Sequence, residues 1–261
     1  RSSMAIQLLY RFIPAAILKR TDPEKYGIEQ LVIQASRDVL PGQLIFDAGA
    51  GECLYRSYFR HAHYLAGDYL KGGAQWGPEG NTYGEMDLIC DMNYIPLQTE
   101  SMDAVLSTQV LEHMPDTVQA LKELHRVLKC GSALFLSVPL GGPGFHGIPY
   151  DYHRFTPSSL SVALEKAGFQ LERIEPRGGF FWEMGFMLRL VPRILMPRAF
   201  SHNIYTANPF LKPIILLEKL FLGVLELVFV VLLPFIFFYL DRLDRDKHHT
   251  LGYNCRCRKV N

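Results

Sequence analysis

From Gln43 to Arg177 the chain alternates short apolar runs with stretches whose apolar residues recur at helical spacing, the pattern of parallel strands joined by crossover helices. LIFDA (44–48) predicts a buried first strand, and GECLYRSYF opens the helix after it. HYLAGD (63–68) and DLICD (87–91) predict the second and third strands. DAVLST (103–108) predicts the fourth. Its helix covers 116–129, where Leu121, Leu124 and Leu128 share a face and Gly131 follows as a stop. ALFLSVP (133–139) predicts the fifth strand. TPSSLSVALEKAGF brings Thr156 as N-cap, Pro157 at the first helical position and Gly168 as terminator. FQLERIEP (169–176) predicts a sixth strand, and TLGYNCRCRKV (250–260) alternates like a seventh, placed at an edge. The pattern is α/β: a doubly wound, mostly parallel seven-stranded sheet.

Residues 179–249 break that rhythm with a hydrophobic helical insertion before the last strand. The 21 residues Leu220–Leu240 carry Glu226 as their only charge, and about 20 apolar residues suffice to span a bilayer. If the flanking strands belong to one sheet, a single crossing cannot return the chain. A second pass through 180–200 would bury Glu183, Arg189, Arg193 and Arg198, at about 2.5–3.5 kcal/mol or more each. Pro234 also favours a kink inside the run. These constraints predict an in-plane or re-entrant hairpin at a membrane surface, with the basic residues of 177–213 at headgroup level. A helical cap on the domain, or an interface in a homodimer, is the alternative. Residues 1–40, including AIQLLYRFIPAAILKR, read as an N-terminal helical or lid segment rather than a signal peptide. Residues 41–178 and 250–261 are then the α/β domain.

Composition narrows the partners. Lys+Arg 27 against Asp+Glu 26 gives a net charge of +1, which excludes nucleic-acid binding through bulk basicity. Hydrophobic residues at 49% and charged residues at 20% are enough for a sizeable core, which excludes disorder. Cys53, Cys90, Cys130, Cys255 and Cys257 are too scattered for a disulfide framework, and the lone C-x-C pair has no metal-ligand partner. A reducing, cytoplasmic setting and no metal are expected.

The candidate chemistry starts at Asp47-Ala-Gly49-Ala-Gly51-Glu52, where the first strand turns. Glycines there let backbone approach a ligand. Asp68 ends the second strand 21 positions after Asp47, where a carboxylate grips ribose hydroxyls. Asp91 ends the third strand and suits an adenine amino group. The turn is not G-x-G-x-x-G, so a nucleoside with a small charged tail fits it better than a dinucleotide. Glu52 either bonds a cofactor amino group or offsets a helix dipole. Trp76, in the Gly-rich loop between strands two and three, either covers the adenine or anchors its loop.

On these residues the chain resembles the class I S-adenosylmethionine-dependent methyltransferases, specifically the small-molecule methyltransferase type 11 group. DAGAGE is similar to the family's first motif. DMNYIPLQTESMDAVLSTQVLEHMPD resembles its run through strands three and four, and ELHRVLKCGSALFLSVP its next block, with Cys130 where Pro is common. The resemblance covers roughly residues 30–176. It implies a Rossmann-like fold and S-adenosyl-L-methionine as cofactor. Asp47, Gly49 and Gly51 would cradle the methionine end, Asp68 the ribose and Asp91 the adenine, with Glu52, Met92 and Gln109 completing the set. The stretch GFHGIPYDYHRFTPSSL is similar to a subset associated with glycan and lipid biosynthesis.

Methyl transfer asks the protein to align donor and acceptor, and a hydroxyl acceptor also needs a base. In such sheets ligands bind beyond the carboxyl ends of the strands. His113 after strand four, and His146 and His153 after strand five, are the candidate bases. Tyr150, Asp151, Tyr152 and Arg154 are candidate acceptor contacts, although Arg154 pairing with Asp151 and the tyrosines packing their loop would explain them equally. The apolar insertion points to a lipid, a lipid-linked glycan or a prenylated small molecule as acceptor. The rival readings are a non-catalytic membrane-associated binding protein retaining the fold, and a methyltransferase of a soluble small molecule whose insertion forms a dimer interface.

Overall fold

The computed structural model describes residues 10, 12–69, 83–142, 150–196 and 208–260. His146, Trp76 and Arg198 therefore lie outside the described residues. The chain forms two compact units, one of residues 27–177 and 252–261, the other of residues 1–26 and 178–251.

The first unit is built on one seven-stranded sheet in the order β3-β2-β1-β4-β5-β7-β6. The strands are β1 (Leu44–Ala48), β2 (His63–Asp68), β3 (Leu88–Ile89), β4 (Met102–Thr108), β5 (Leu128–Pro139), β6 (Phe169–Pro176) and β7 (Gly252–Lys259). β1 to β5 pair in parallel, and β7 runs antiparallel to both β5 and β6. β6 consequently points the same way as β1 to β5, and all six carboxyl ends share one edge. Ligand crevices of open α/β sheets form at that edge.

Apolar side chains cover both sheet faces. On one, Ile28, Leu31, Val32 and Ala35 of the helix Pro23–Asp38 pack on Ile45, Leu106 and Phe135. Their i, i+3, i+4, i+7 spacing makes one stripe, so residues 27–38 belong to the sheet unit and not to a separate N-terminal segment ending at 40. On the other face, Ala120, Leu121, Leu124 and Val127 of the helix Thr117–Val127 lie beside Leu160 and Leu164 of the helix Pro157–Lys166. Asp116 caps the first helix, accepting from the Gln119 amide. Thr156 and Ser159 form a reciprocal capping box on the second, with Pro157 in its first turn.

Three sequence expectations are corrected. GECLYRSYF makes turns and a four-residue 3-10 helix, Arg56–Phe59, because the backbone turns left-handed at Gly49, Gly51 and Cys53. Gly131 ends no helix: the helix stops at Val127, and Gly131 sits in a register slip of β5 opposite Met102 and Ala104. β7 is interior, not an edge. Tyr253, Cys255 and Cys257 bury one face, while Arg256 pairs with Asp38 and Glu172 and Arg258 with Glu172 on the other.

The second unit is helical. The helices Ala15–Arg20, Phe180–Leu188 and Val191–Leu195 precede a continuous helical run from Lys212 to Leu243, long and apolar enough to cross a membrane. Pro234 does not break that run. A π turn over Leu227–Leu232 precedes it, which absorbs the hydrogen bond proline cannot donate. Phe180–Leu188 lies antiparallel to Leu233–Leu240, with Phe181 stacked on Phe237 and Trp182 on Phe238. Asp241 accepts from the Gly179 and Trp182 amides and pairs with Lys247, so a buried carboxylate closes the start of Phe180–Leu188. Arg189 pairs with Asp22 at 2.9 Å.

Candidate active site

The glycine turn is fixed by main-chain bonds to the next strand. The Gly49 and Ala50 amides donate to the Gly67 carbonyl at 2.8 and 3.1 Å, and the Gly51 amide donates to Oδ2 of Asp68 at 2.9 Å. Both glycines have positive φ, 82° at Gly49 and 51° at Gly51. A side chain on Gly49 would come within 2.3 Å of Val110, whereas one on Gly51 would meet nothing within 4 Å among the described residues. Gly49 is thus closed in by protein, and Gly51 is open among the described residues. No α-helix dipole backs this turn, since the next element is the 3-10 helix Arg56–Phe59.

The three strand-end carboxylates differ. Asp47 is 1% exposed and accepts from the Tyr64 hydroxyl, one strand over. Burial, reinforced by Asp68, pushes its carboxyl up to about 7, against the Tyr64 hydrogen bond and Arg56. Its Oδ1 is buried with no hydrogen-bond partner among the described residues. Tyr64 stacks on Phe59 and lies under the Arg56 guanidinium at 5.0 Å, which is held in turn by Asp87 at 2.8 Å. Asp68 is half-buried and receives the Gly51 amide on Oδ2 and the Tyr69 amide, at 2.6 Å, on Oδ1. Each oxygen keeps a second lone pair. Asp91 closes its own turn, its Oδ1 accepting from the backbone and side chain of Asn93. Glu52 is exposed at the turn.

Two residues expected at the cofactor have side chains engaged with other protein groups. Met92 is 6% exposed and packs into the core with Cys90 and Ile95, so its apolar side chain is spent on packing. Gln109, strained at φ 55°, turns its amide to Ser137 (3.4 Å) and Arg177 (3.5 Å). Ser137 donates to Asn254, and Asn254 to the Gly27 carbonyl. This polar chain joins β4, β5, β7 and the end of β6.

On the acceptor side, Tyr150 and Tyr152 are exposed, and Arg154 forms a bidentate pair with Asp151. His153 lies between the Tyr152 and Phe155 rings, with Nε2 buried and without a hydrogen-bond partner among the described residues. His113 is less suited to act as a base. Its Nδ1 lies 2.7 Å from the Tyr150 carbonyl, and its Nε2 3.8 Å from Oε1 of Glu112. Tyr64, Arg56 and Glu112 were not singled out from the sequence, and Arg177, expected with the basic residues at headgroup level, is instead buried at 2% exposure. The available signal was modest: Tyr64 opens the apolar stretch YLA of its strand, and Glu112 adjoins His113.

The methyltransferase-domain family model matches residues 46–136, the stretch from the glycine turn through most of β5. This stretch is a class I methyltransferase domain. Its cofactor is S-adenosylmethionine. A probable S-adenosylmethionine-dependent methyltransferase of Mycolicibacterium smegmatis is 34% identical over 83 residues, 30% of this chain and 32% of that protein. A probable tRNA methyltransferase 9B of mouse is 30% identical over 113 residues, 41% of this chain and 24% of that protein. The chain thus spans a third or less of the length of the curated relatives it matches. The Burkholderia thailandensis 1,6-didemethyltoxoflavin-N1-methyltransferase, solved with S-adenosylhomocysteine, shares the fold at a TM-score of 0.51 and 17% identity, covering 91% of this chain and 80% of that one. The methyltransferase domain offers residues that fit the cofactor: open backbone at Gly51, a two-oxygen acceptor at Asp68 and the unsatisfied Oδ1 of Asp47.

Proposed function

We propose that the chain transfers a methyl group from S-adenosylmethionine to a hydroxyl, or another nucleophile, of a lipid, a lipid-linked glycan or a prenylated small molecule. The glycine turn with Asp68 supports the donor half of this reading. Bound there, the cofactor supplies an electrophilic methyl group on a sulfonium. Asp68 suits the ribose hydroxyls, since both its oxygens retain acceptor capacity beyond the Gly51 and Tyr69 amides. Gly51 lets the backbone approach, and Asp91 keeps Oδ2 for the base. Nε2 of His153, without a hydrogen-bond partner among the described residues, supports a role in taking the proton of an acceptor hydroxyl. The loop of Tyr150 and Tyr152 supplies exposed rings for orienting an acceptor.

The acceptor class rests on one observation. The helical run Lys212–Leu243 leaves Leu217 67%, Leu220 65%, Phe221 55% and Ile236 50% exposed, more apolar surface than a soluble monomer ordinarily presents. Lipid is the solvent that suits it. An acceptor dissolved in, or tethered to, a membrane is then the natural partner, with the chain at the membrane surface.

Incubation of the protein with methyl-labelled S-adenosylmethionine and a total lipid extract tests the reading. Label is expected in an organic-phase product. Label found only in water-soluble product would move the acceptor to a soluble molecule. Cofactor binding without any turnover would favour a binding protein.

A further inference from the structure

The short 3-10 turn Leu111–His113, directly after β4, holds the acceptor-side loop from beneath. The Glu112 carbonyl accepts from the Tyr152 amide at 2.8 Å and the His153 amide at 3.3 Å. The neighbouring His113 ring adds a third tie. A carbonyl only accepts, so Nδ1 of His113 must donate to the Tyr150 oxygen, 2.7 Å away. In the neutral ring Nε2 then carries the lone pair, and it is Nε2 that faces the Glu112 carboxyl at 3.8 Å. The Glu112 side chain is fully buried. Arg177, Arg154 and Asp151 face it electrostatically, together with His113. Arg154 and Asp151 belong to the loop itself, paired with one another.

We propose that Glu112 is a positioning residue for the acceptor side: its carbonyl fixes Tyr152 and His153, and its carboxyl group sets the state of the His113 ring that holds Tyr150. The inference rests on the methyltransferase reading only for what the loop does. The tie between Glu112 and the loop is a property of the fold alone. Burial pushes the Glu112 carboxyl up to about 8, against the pull of Arg177 and Arg154. A conformation in which the loop lifts away would rehydrate the group and return it towards its ordinary range. Linkage then fixes the sign. The open state binds fewer protons across the window from about pH 5 to 8, so the closed loop loses ground as pH rises through it and levels off above.

The test uses the full chain, comparing wild type with Glu112→Gln and Glu112→Ala. It reads amide hydrogen exchange over 150–155, corrected for intrinsic rates, and the histidine ring 15N signals from pH 5 to 9. Wild type should exchange at least about tenfold faster at pH 8 than at pH 5. Glu112→Gln, which keeps the shape of the neutral acid, should hold the loop but flatten this profile. Glu112→Ala should open the loop at every pH and shift the His113 titration. A pH step retained in Glu112→Gln, or wild-type exchange in Glu112→Ala, overturns the proposal. If Glu112→Ala does not fold, the Glu112→Gln profile decides alone. Titration of the wild type with S-adenosylhomocysteine is read separately. Failure to bind would remove the proposed function and leave the Glu112 result standing.

Discussion

The Tyr64 hydroxyl of β2 donates to Oδ2 of Asp47 at the end of β1, tying a neutral phenol to a carboxyl group sealed under the glycine turn. A buried carboxylate with one donor is poorly compensated, which is why burial outweighs the hydrogen bond and lifts the group to about 7. The domain therefore keeps an acid near its protonation midpoint four residues before Gly51, whose backbone is proposed to meet the cofactor.

That acid has a consequence for stability. The folded pKa of Asp47 lies above its unfolded value, so the unfolded chain binds fewer protons between about pH 4 and 7. Stability should fall as pH rises through that window, by up to about 3–4 kcal/mol from this group alone. Asp47→Asn should remove most of that slope and be at least as stable as wild type at pH 8. Urea unfolding of both proteins at pH 5 and pH 8 measures it, and equal slopes would contradict the burial argument.

The two glycines of the turn should separate packing from binding. Gly49→Ala puts a methyl group within 2.3 Å of Val110 at φ 82°, and a cost of about 2–4 kcal/mol is expected in urea unfolding. Gly51→Ala meets no atom within 4 Å among the described residues and should cost only about 1 kcal/mol of backbone strain. Yet it should weaken S-adenosylhomocysteine at least about tenfold, by filling the space over the turn. Unchanged affinity in a folded Gly51→Ala protein would mean the ligand does not approach there.

Much of this site was legible in the sequence because its signals are local. β1, β2 and β6 fall where alternation put them, and Thr156 caps its helix as its spacing requires. The segment after Gly51 was not legible, since a left-handed Cys53 converts an apparent helix start into a 3-10 turn. Nor does alternation reveal neighbours. β7 has one apolar and one charged face, as an edge strand would, but Asp38 and Glu172 neutralise its arginines inside the sheet. The polar chain from Arg177 through Gln109 and Ser137 to Asn254 joins residues far apart in the chain, so no window of sequence contains it.

The helical unit should depend on Asp241. Its side chain serves the Gly179 and Trp182 amides and pairs with Lys247 while only 4% exposed. Asp241→Ala leaves those amides unsatisfied and the half-buried Lys247 ammonium with only the residue 241 carbonyl, at about 2–4 kcal/mol. Hydrogen exchange over 179–188 should rise strongly while that over β4 and β5 stays slow. Unaltered exchange over 179–188 would show that the carboxylate is dispensable.

The exposed apolar face of Lys212–Leu243 should drive membrane association. The full chain should float with liposomes, and the interaction should survive high salt in large part, because apolar burial is not screened. Leu217, Phe221 and Ile236 changed together to Gln should abolish flotation, since about 1.5–3 kcal/mol is lost per buried side chain. A variant that floats like wild type would shift the attraction to the basic residues, and a wild type that stays down would point to a cap or a dimer interface.

The most direct measurement is a calorimetric titration of S-adenosylhomocysteine into the wild-type chain and into Asp47→Ala/Asp68→Ala. The wild type should bind with a dissociation constant around micromolar or tighter, and the double variant at least about a hundredfold more weakly, a loss of roughly 2.7 kcal/mol. Wild-type affinity in the double variant would mean that the nucleoside is held somewhere other than the turn between β1 and β2.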